Sequence, residues 1–225
     1  MAKKKTAPPA PEQTRIYIVD DHPIFRQGLA GLIGQAQGMM ICGQADNAAT
    51  AFDEIPRVKP HIVLTDIGLP GKSGLELVRD LHAVQPGLPV LVLSMHEENL
   101  YAERVLRAGG RGYIMKQEGP EKILQAIARI LDGEIYLSKA MSSGFLEQIA
   151  RPNSRHGTSP IGKLTDREFE VFRLIGQGKD SHQIAADLHL SSKTVDTHRA
   201  NIRHKLKLKS GIALSHFATQ WVTPQ

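Results

Sequence analysis

The chain has 225 residues, 41% of them hydrophobic, a single cysteine and a formal net charge of +5. That length is ample for a proper core, in one large domain or two small ones. No apolar run approaches the roughly 18 residues that would span a bilayer, and a lone Cys42 excludes an internal disulfide or a Cys-rich metal site, so a soluble protein of the reducing cytoplasm is expected. Charge is unevenly placed. From Met1 to Gly133, 15 Lys+Arg stand against 15 Asp+Glu, and 13 against 8 follow. With Lys3, Lys4 and Lys5 in the N-terminal tail, the body of the first part is net acidic, and only the second part is suited to a polyanion.

Residues 1–14 carry those lysines and then Pro8, Pro9 and Pro11, with no apolar segment behind them, so a disordered tail and not a secretory signal is expected. Arg15 to Val19 is a short strand ending in Asp20 and Asp21, and Phe25, Leu29, Leu32 and Ile33 follow at helical spacing with Asp21 placed to cap. The pattern repeats. Strands are expected at Met40–Cys42, His61–Asp66, Pro89–Ser94 and Gly112–Met115, and helices at Ala48–Ile55, Gly74–Val84, Glu97–Ala108 and Pro120–Leu131. Ser73 and Glu76 form a capping box, and Ser94 with Glu97 could form another. Five alternating βα units imply a doubly wound α/β domain, since each crossover must be right-handed. It ends near residue 132. Residues 133–162 read as a linker, with a short helix at Ser138–Ala150 before a stretch of turn formers.

From residue 163 to 225 everything is helical. Thr165 and Glu168 box the first helix, Ser181–Leu188 is the second, Ser191 caps a third running to about Leu206, and Ser210 caps a fourth ending near Trp221. There is no internal repeat beyond the βα alternation.

Two constellations carry chemistry. With the flavodoxin-like sheet order 2-1-3-4-5, strands one and three adjoin at the switch point, so Asp20, Asp21 and Asp66 converge at the carboxyl edge. Three carboxylates repel unless a cation sits among them, and oxygen ligands with water suit Mg²⁺. Asp66 could then act as a nucleophile toward a phosphoryl group, with Ser94 and Lys116 completing the cradle. Taken singly, Ser94 as a cap and Lys116 as a surface lysine are the plainer readings; together they stand at the strand ends a phosphoryl site needs. The second constellation is the third helix of the C-terminal part, whose Val195, Ile202 and Leu206 face inward while the other side is basic. The short turn before it gives the spacing of a helix-turn-helix unit.

Asp20-Asp21-His22-Pro23, Thr65-Asp66-Ile67-Gly68-Leu69-Pro70, the strand ending in Ser94 and Gly110 to Lys116 resemble the receiver domain of bacterial response regulators over residues 15–132. The motifs Thr165 to Glu168, Ile184-Ala185, Leu190-Ser191 and Lys193 to His198 resemble the LuxR-type DNA-binding domain, and together the two are similar to the NarL/FixJ class. The resemblance implies that Asp66 becomes an aspartyl phosphate at the expense of a sensor histidine kinase. Asp20, Asp21, Asp66 and the Gly68 carbonyl would hold Mg²⁺, Lys116 would pair with the phosphoryl group, and Ser94 and Tyr113 would move inward as a switch pair. Gln117 stands where many receivers have proline.

On the third helix the resemblance places Asp196, Thr197 and Ala200 at base-reading positions and Lys193, Thr194, His198 and Arg203 at backbone-contact positions. Leu214, Phe217, Ala218 and Trp221 form a stripe divided between core and dimer contact. The implied function is a phosphorylation-controlled transcription regulator, not an enzyme, that forms a homodimer on paired half-sites of double-stranded DNA. RNA polymerase is a further partner the class admits, and the receiver could mask the recognition helix beforehand. A phosphatase of similar topology would need a substrate-covering cap and no basic helix-turn-helix; a constitutive dimerisation module would not need the intact acidic set.

Overall fold

Short runs of β-branched and aliphatic residues form a parallel sheet, each returned to the next strand by a helix whose apolar face covers it. The computed structural model describes residues 13–150 and 160–222, the side chains of 145–150 excepted. Strands β1 (Thr14–Val19), β2 (Met39–Ala45), β3 (Ile62–Asp66), β4 (Val90–Ser94) and β5 (Gly112–Met115) lie in the order β2-β1-β3-β4-β5, all parallel. Helices α1 (Pro23–Gln35), α2 (Ala48–Val58), α3 (Gly74–Val84), α4 (Glu98–Arg107) and α5 (Pro120–Leu131) alternate with them. The doubly wound fold and its order are therefore as expected. β3 is buried at every position because it sits centrally with helices on both faces.

Alternation along the strands divides the core in two. Ile16, Ile18, Ile62, Leu64, Leu91, Leu93 and Ile114 pack against Leu29 and Ile33 of α1 and Ile123, Ile127 and Ile130 of α5. Tyr17, Val19, Val63, Val90, Val92 and Tyr113 face α2, α3 and α4, and this second cluster continues without a break into the C-terminal helices. Some local expectations fail. The α1 N-cap is His22 with no side-chain bond, and Asp21 does not cap it. The α4 N-cap is Glu97, also without a side-chain bond, so Ser94 is no capping residue.

The expected tail lies outside the described residues except at its end, where Thr14 already belongs to β1. Of the expected linker, 151–159 lie outside them too. What precedes is folded: the Tyr136 N–H donates to the Arg111 carbonyl and the Tyr113 N–H to the Tyr136 carbonyl, extending the sheet at its β5 edge, and α6 (Lys139–Ala150) follows. A 3-10 turn (Pro160–Lys163) leads into α7 (Asp166–Gly176), α8 (Ser181–Asp187), α9 (Ser192–Lys205) and α10 (Gly211–Val222). The Thr165–Glu168 capping box and the Ser191 cap are present, and Asp180 with Gln183 adds a box at α8. Among the described residues no helix is long and apolar enough to cross a membrane.

Candidate functional site

β1 and β3 are aligned so that Val19 pairs with Thr65, which brings Asp20 and Asp66 side by side where both strands end. Asp20 and Asp66 are buried, and Asp21 is partly exposed beside them. Ligand atoms of Asp20, Asp21, His22 and Asp66 all lie within 4.8 Å of one another. Lys116 reaches in from the end of β5, its Nζ at 2.6 Å from Asp20 Oδ2 and 2.7 Å from Asp66 Oδ2 with the side chain 3% exposed. A buried ammonium between two buried carboxylates is paired on both sides, the only arrangement a buried cation tolerates cheaply. The sequence left Lys116 open to a surface reading; its side chain is buried. Asp66 is also held by the Ile67 N–H, which donates to Oδ1 at 2.7 Å. Burial pushes its carboxyl above the ordinary range, and Lys116 pulls it back.

Asp21 Oδ1 is buried and accepts no well-aligned hydrogen bond, its nearest polar neighbour being His22 Nδ1 at 2.7 Å. Clustered carboxylate oxygens, one of them buried without a well-aligned hydrogen bond, are what a hard divalent cation would satisfy, so the residues present fit Mg²⁺. Gly68 follows two residues after Asp66, and a Cβ there would meet Asp66 Oδ2 at 3.9 Å, which places its backbone beside the carboxylate. The turn behind needs glycine in two ways. Gly71 has φ +73°, and a Cβ on Gly74 would run into the Asp66 carbonyl, so the loop can double back only without a side chain there.

Ser94 and Tyr113 stand on neighbouring strands, with Val92 paired to Tyr113 and Ser94 to Met115. Both are buried. The Ser94 hydroxyl accepts from the His96 N–H at 3.2 Å, and the Tyr113 hydroxyl donates to the His96 carbonyl at 2.7 Å. The expected inward movement of Tyr113 thus has no outward starting point in this structure. Its ring is already inside, because the His96 carbonyl supplies the acceptor that a buried phenol requires.

On α9, Val195 and Ile202 are buried and Lys193, Thr194, Asp196, Thr197 and Ala200 are exposed. The open stripe continues through Asn201 and His204, two residues the sequence reading passed over although Thr197, Ala200, Asn201 and His204 have i, i+3, i+4, i+7 spacing. Asp196 Oδ1 accepts from the Ser181 hydroxyl at 2.7 Å, and the Thr197 hydroxyl donates to the Lys193 carbonyl at 3.0 Å. Arg203 is half-buried. His198 does not join the open stripe. It is half-buried, and burial together with nearby Arg167 lowers its pKa. On α10, Leu214 and Ala218 are fully buried and so unavailable as dimer contacts; Phe217 and Trp221 pack on Phe172, and Trp221 also on Phe169.

Among the described residues the outward face of α9 is open, so the receiver does not cover the recognition helix in this structure. The first domain meets α7 instead. Tyr101 of α4 lies edge-on to Phe169 at 5.2 Å, and the Arg104 guanidinium sits 4.1 Å above the same ring. Arg104 also donates to the carbonyls of Ile161 and Leu164, and it and Arg79 bind Asp166. Arg167 donates to the Gly71 carbonyl in the loop behind Asp66 and to Leu188 in the helix-turn-helix turn. Apolar burial around Phe169 and paired charges outweigh the diffuse attraction of an acidic body for an exposed basic helix, which salt screens.

Comparison with known proteins gives two successive family matches: the response regulator receiver domain over residues 16–128, and the LuxR family of bacterial regulatory proteins over 162–218. The response regulator GacA of Pseudomonas aeruginosa is 32% identical across 92% of this chain and 95% of its own length. The oxygen regulatory protein NreC of Staphylococcus aureus is 31% identical across 91% and 96%. Among solved structures, Salmonella enterica serovar Typhimurium RcsB bound to promoter P1flhDC with the phosphomimetic BeF3- superposes with a TM-score of 0.60 at 26% identity, covering 92% of this chain and 99% of that one.

Proposed function

The chain belongs to the response regulators that join a receiver domain to a LuxR-type DNA-binding domain, and from that premise we propose that phosphorylation of Asp66 by a sensor histidine kinase in the cytoplasm favours a homodimer on paired DNA half-sites. As a transcription regulator of this family it is not an enzyme. The observation that carries the reading is the pairing of the buried Lys116 side chain with both Asp20 and Asp66 in the acidic cluster that Asp21 completes.

An Asp66 carboxylate oxygen would form a bond to phosphorus as the bond from phosphorus to the kinase's histidine nitrogen breaks, the nitrogen leaving with the electron pair. Asp20, Asp21, Asp66 and the Gly68 carbonyl would hold Mg²⁺, which when bound neutralises charge on the phosphoryl oxygens. Lys116 already points its ammonium at Asp66 and would exchange that partner for a phosphoryl oxygen. Ser94 would turn its hydroxyl to the same group. Ile67 keeps the carboxylate oriented through its N–H.

On DNA, the open stripe of α9 would enter the major groove, with Asp196, Thr197 and Ala200 toward base edges and Lys193, Thr194 and Arg203 toward phosphates. Leu214 and Ala218 belong to the core of that domain, leaving the outer side of α10 for a second copy. RNA polymerase is a further partner for a regulator that activates.

Incubation with Mg²⁺ and acetyl phosphate followed by intact-mass measurement tests the phosphorylation step. One persistent phosphoryl adduct on the wild type, absent in Asp66→Asn, is expected. Rapid turnover would favour a phosphatase, and no adduct a constitutive dimerisation module.

A further inference from the structure

We infer that His96 is the positioning residue that couples the phosphoacceptor site to the DNA-binding domain, through a hydrogen bond between its imidazole and Arg173. The inference rests on the reading of Asp66 given above and adds a specific link to it. Three polar groups of His96 are engaged: its backbone N–H, its backbone carbonyl and its ring Nε2. Its N–H donates to the Ser94 hydroxyl and its carbonyl accepts from the Tyr113 hydroxyl, so both residues of the expected switch pair are tied to this one backbone unit. Its ring stacks on Tyr101 at 5.2 Å and 18°, and its Nε2 lies 3.2 Å from an Arg173 guanidinium nitrogen of α7. A guanidinium can only donate, so Nε2 is the acceptor and the ring proton sits on Nδ1. The neutral ring this requires agrees with a pKa lowered to about 4 by burial and by Arg173 and Lys116.

The consequence is mechanical. If Ser94 turns to a phosphoryl oxygen on Asp66, the His96 N–H loses its acceptor and the loop between β4 and α4 must readjust. The ring on that loop is what Arg173 binds, so the readjustment is felt at α7. An unmet donor marks the same place: Arg173 Nε is buried without a hydrogen-bond partner. A polar contact surface with an unmet donor is one that a small shift can reorganise, because little is lost in leaving it. Reciprocity then requires that the docked α7 also bias the receiver loop.

Stacking and hydrogen bonding can be separated. His96→Phe keeps an aromatic ring against Tyr101 and deletes the acceptor, whereas His96→Gln restores an acceptor without the ring. In the full chain, affinity for paired-site DNA at fixed salt is measured with and without acetyl phosphate and Mg²⁺, and phosphoryl occupancy by intact mass. The wild type should respond to phosphorylation. His96→Phe should still be phosphorylated on Asp66 but lose at least about tenfold of that response, and His96→Gln should keep most of it; tenfold corresponds to about 1.4 kcal/mol of coupling. A full response in His96→Phe overturns the inference, as does loss in both variants, which would indicate ring packing alone. If His96→Phe fails to fold, Arg173→Met removes the bond from the other side and must show the same loss, or the inference falls. A wild type that is phosphorylated but never responds on DNA defeats the coupling in the proposed function itself, and a wild type that is never phosphorylated defeats the role of Asp66; neither outcome can be confused with a fault in His96 alone.

Discussion

The sheet core and the contact between the two domains are both buried, yet they are built from different materials. Over Ile62, Val63 and Leu64 of β3 the buried side chains are aliphatic and the polar atoms of these three residues belong to the backbone ladder, with buried polar side chains, Thr65 and Asp66, only at the strand's end. Along α7 the buried set includes Asp166, Arg167, Glu168, Glu170 and Arg173, and Glu170 Oε1 and Arg173 Nε lack partners. Apolar burial is non-directional and survives small displacements, whereas a buried ion pair is favourable only in one geometry. The core is therefore suited to persist, and the α7 contact to exchange.

The largest expected effect breaks the first of these. Leu64→Ala in the fully buried central strand should destabilise the receiver by about 3–5 kcal/mol through lost transfer energy and an unfilled cavity, read as a lower urea midpoint with an unchanged slope. A loss under about 1 kcal/mol would mean the site collapses freely and the contrast is overstated. Next comes Arg104→Ala, which deletes the guanidinium shared by Phe169, Ile161, Leu164 and Asp166. The expected cost is about 2–4 kcal/mol, mainly from leaving buried Asp166 with Arg79 as its remaining partner, and it should fall on docking and not on the sheet. Amide exchange should rise in α4 and α7 while β3 keeps its protection; equal loss in both would deny any difference between the regions.

The same contrast explains what could be read in advance. β3, α3 and the acidic triad were legible because each rests on a local rule: an unbroken apolar run, a Ser73–Glu76 box, carboxylates at strand ends. The place of Lys116 at the site was legible only in combination with those acids, and its burial was not. The docking of α7 was not legible, because Asp166, Arg104 and Arg79 are ordinary surface residues of their own helices until the two domains meet. Nor was Tyr113 inside its pocket, which depends on where the His96 carbonyl points. The capping of α1 by Asp21 failed because that residue sits in the acidic cluster instead.

A smaller effect sharpens the comparison through pH. Burial raises Glu170 from an ordinary 4.5 to about 7 despite Arg167, and lowers His96 from 6.5 to about 4. The stability that protonated Glu170 contributes is present below about pH 4.5 and lost as pH rises through 7. That of neutral His96 is present above about pH 6.5 and lost as pH falls toward 4. Between roughly 4.5 and 6.5 the two oppose each other, each with a slope of at most about 1.4 kcal/mol per pH unit. Relative to wild type, Glu170→Gln should therefore lose stability on acidification across that window, and His96→Gln should gain it. Parallel pH profiles of unfolding midpoint for all three proteins would remove both assignments.

The smallest effect lies outside both buried regions, on α9, where exposure of the recognition stripe predicts that DNA contacts contribute nothing to the α7 contact. Arg203→Ala should leave the melting temperature of the full chain nearly unchanged and weaken binding to specific and random DNA about equally, with the salt slope reduced by about one unit if the guanidinium meets one phosphate. Thr197→Ala, whose hydroxyl proton is already given to the Lys193 carbonyl, keeps only acceptor capacity to lose. Its discrimination at a single base pair should therefore fall at the low end of the range of about 1–3 kcal/mol for a direct contact, with random-sequence binding untouched. Equal losses on both kinds of DNA for Thr197→Ala would move it to the phosphate-contacting set, and a salt slope unchanged in Arg203→Ala would take Arg203 out of that set.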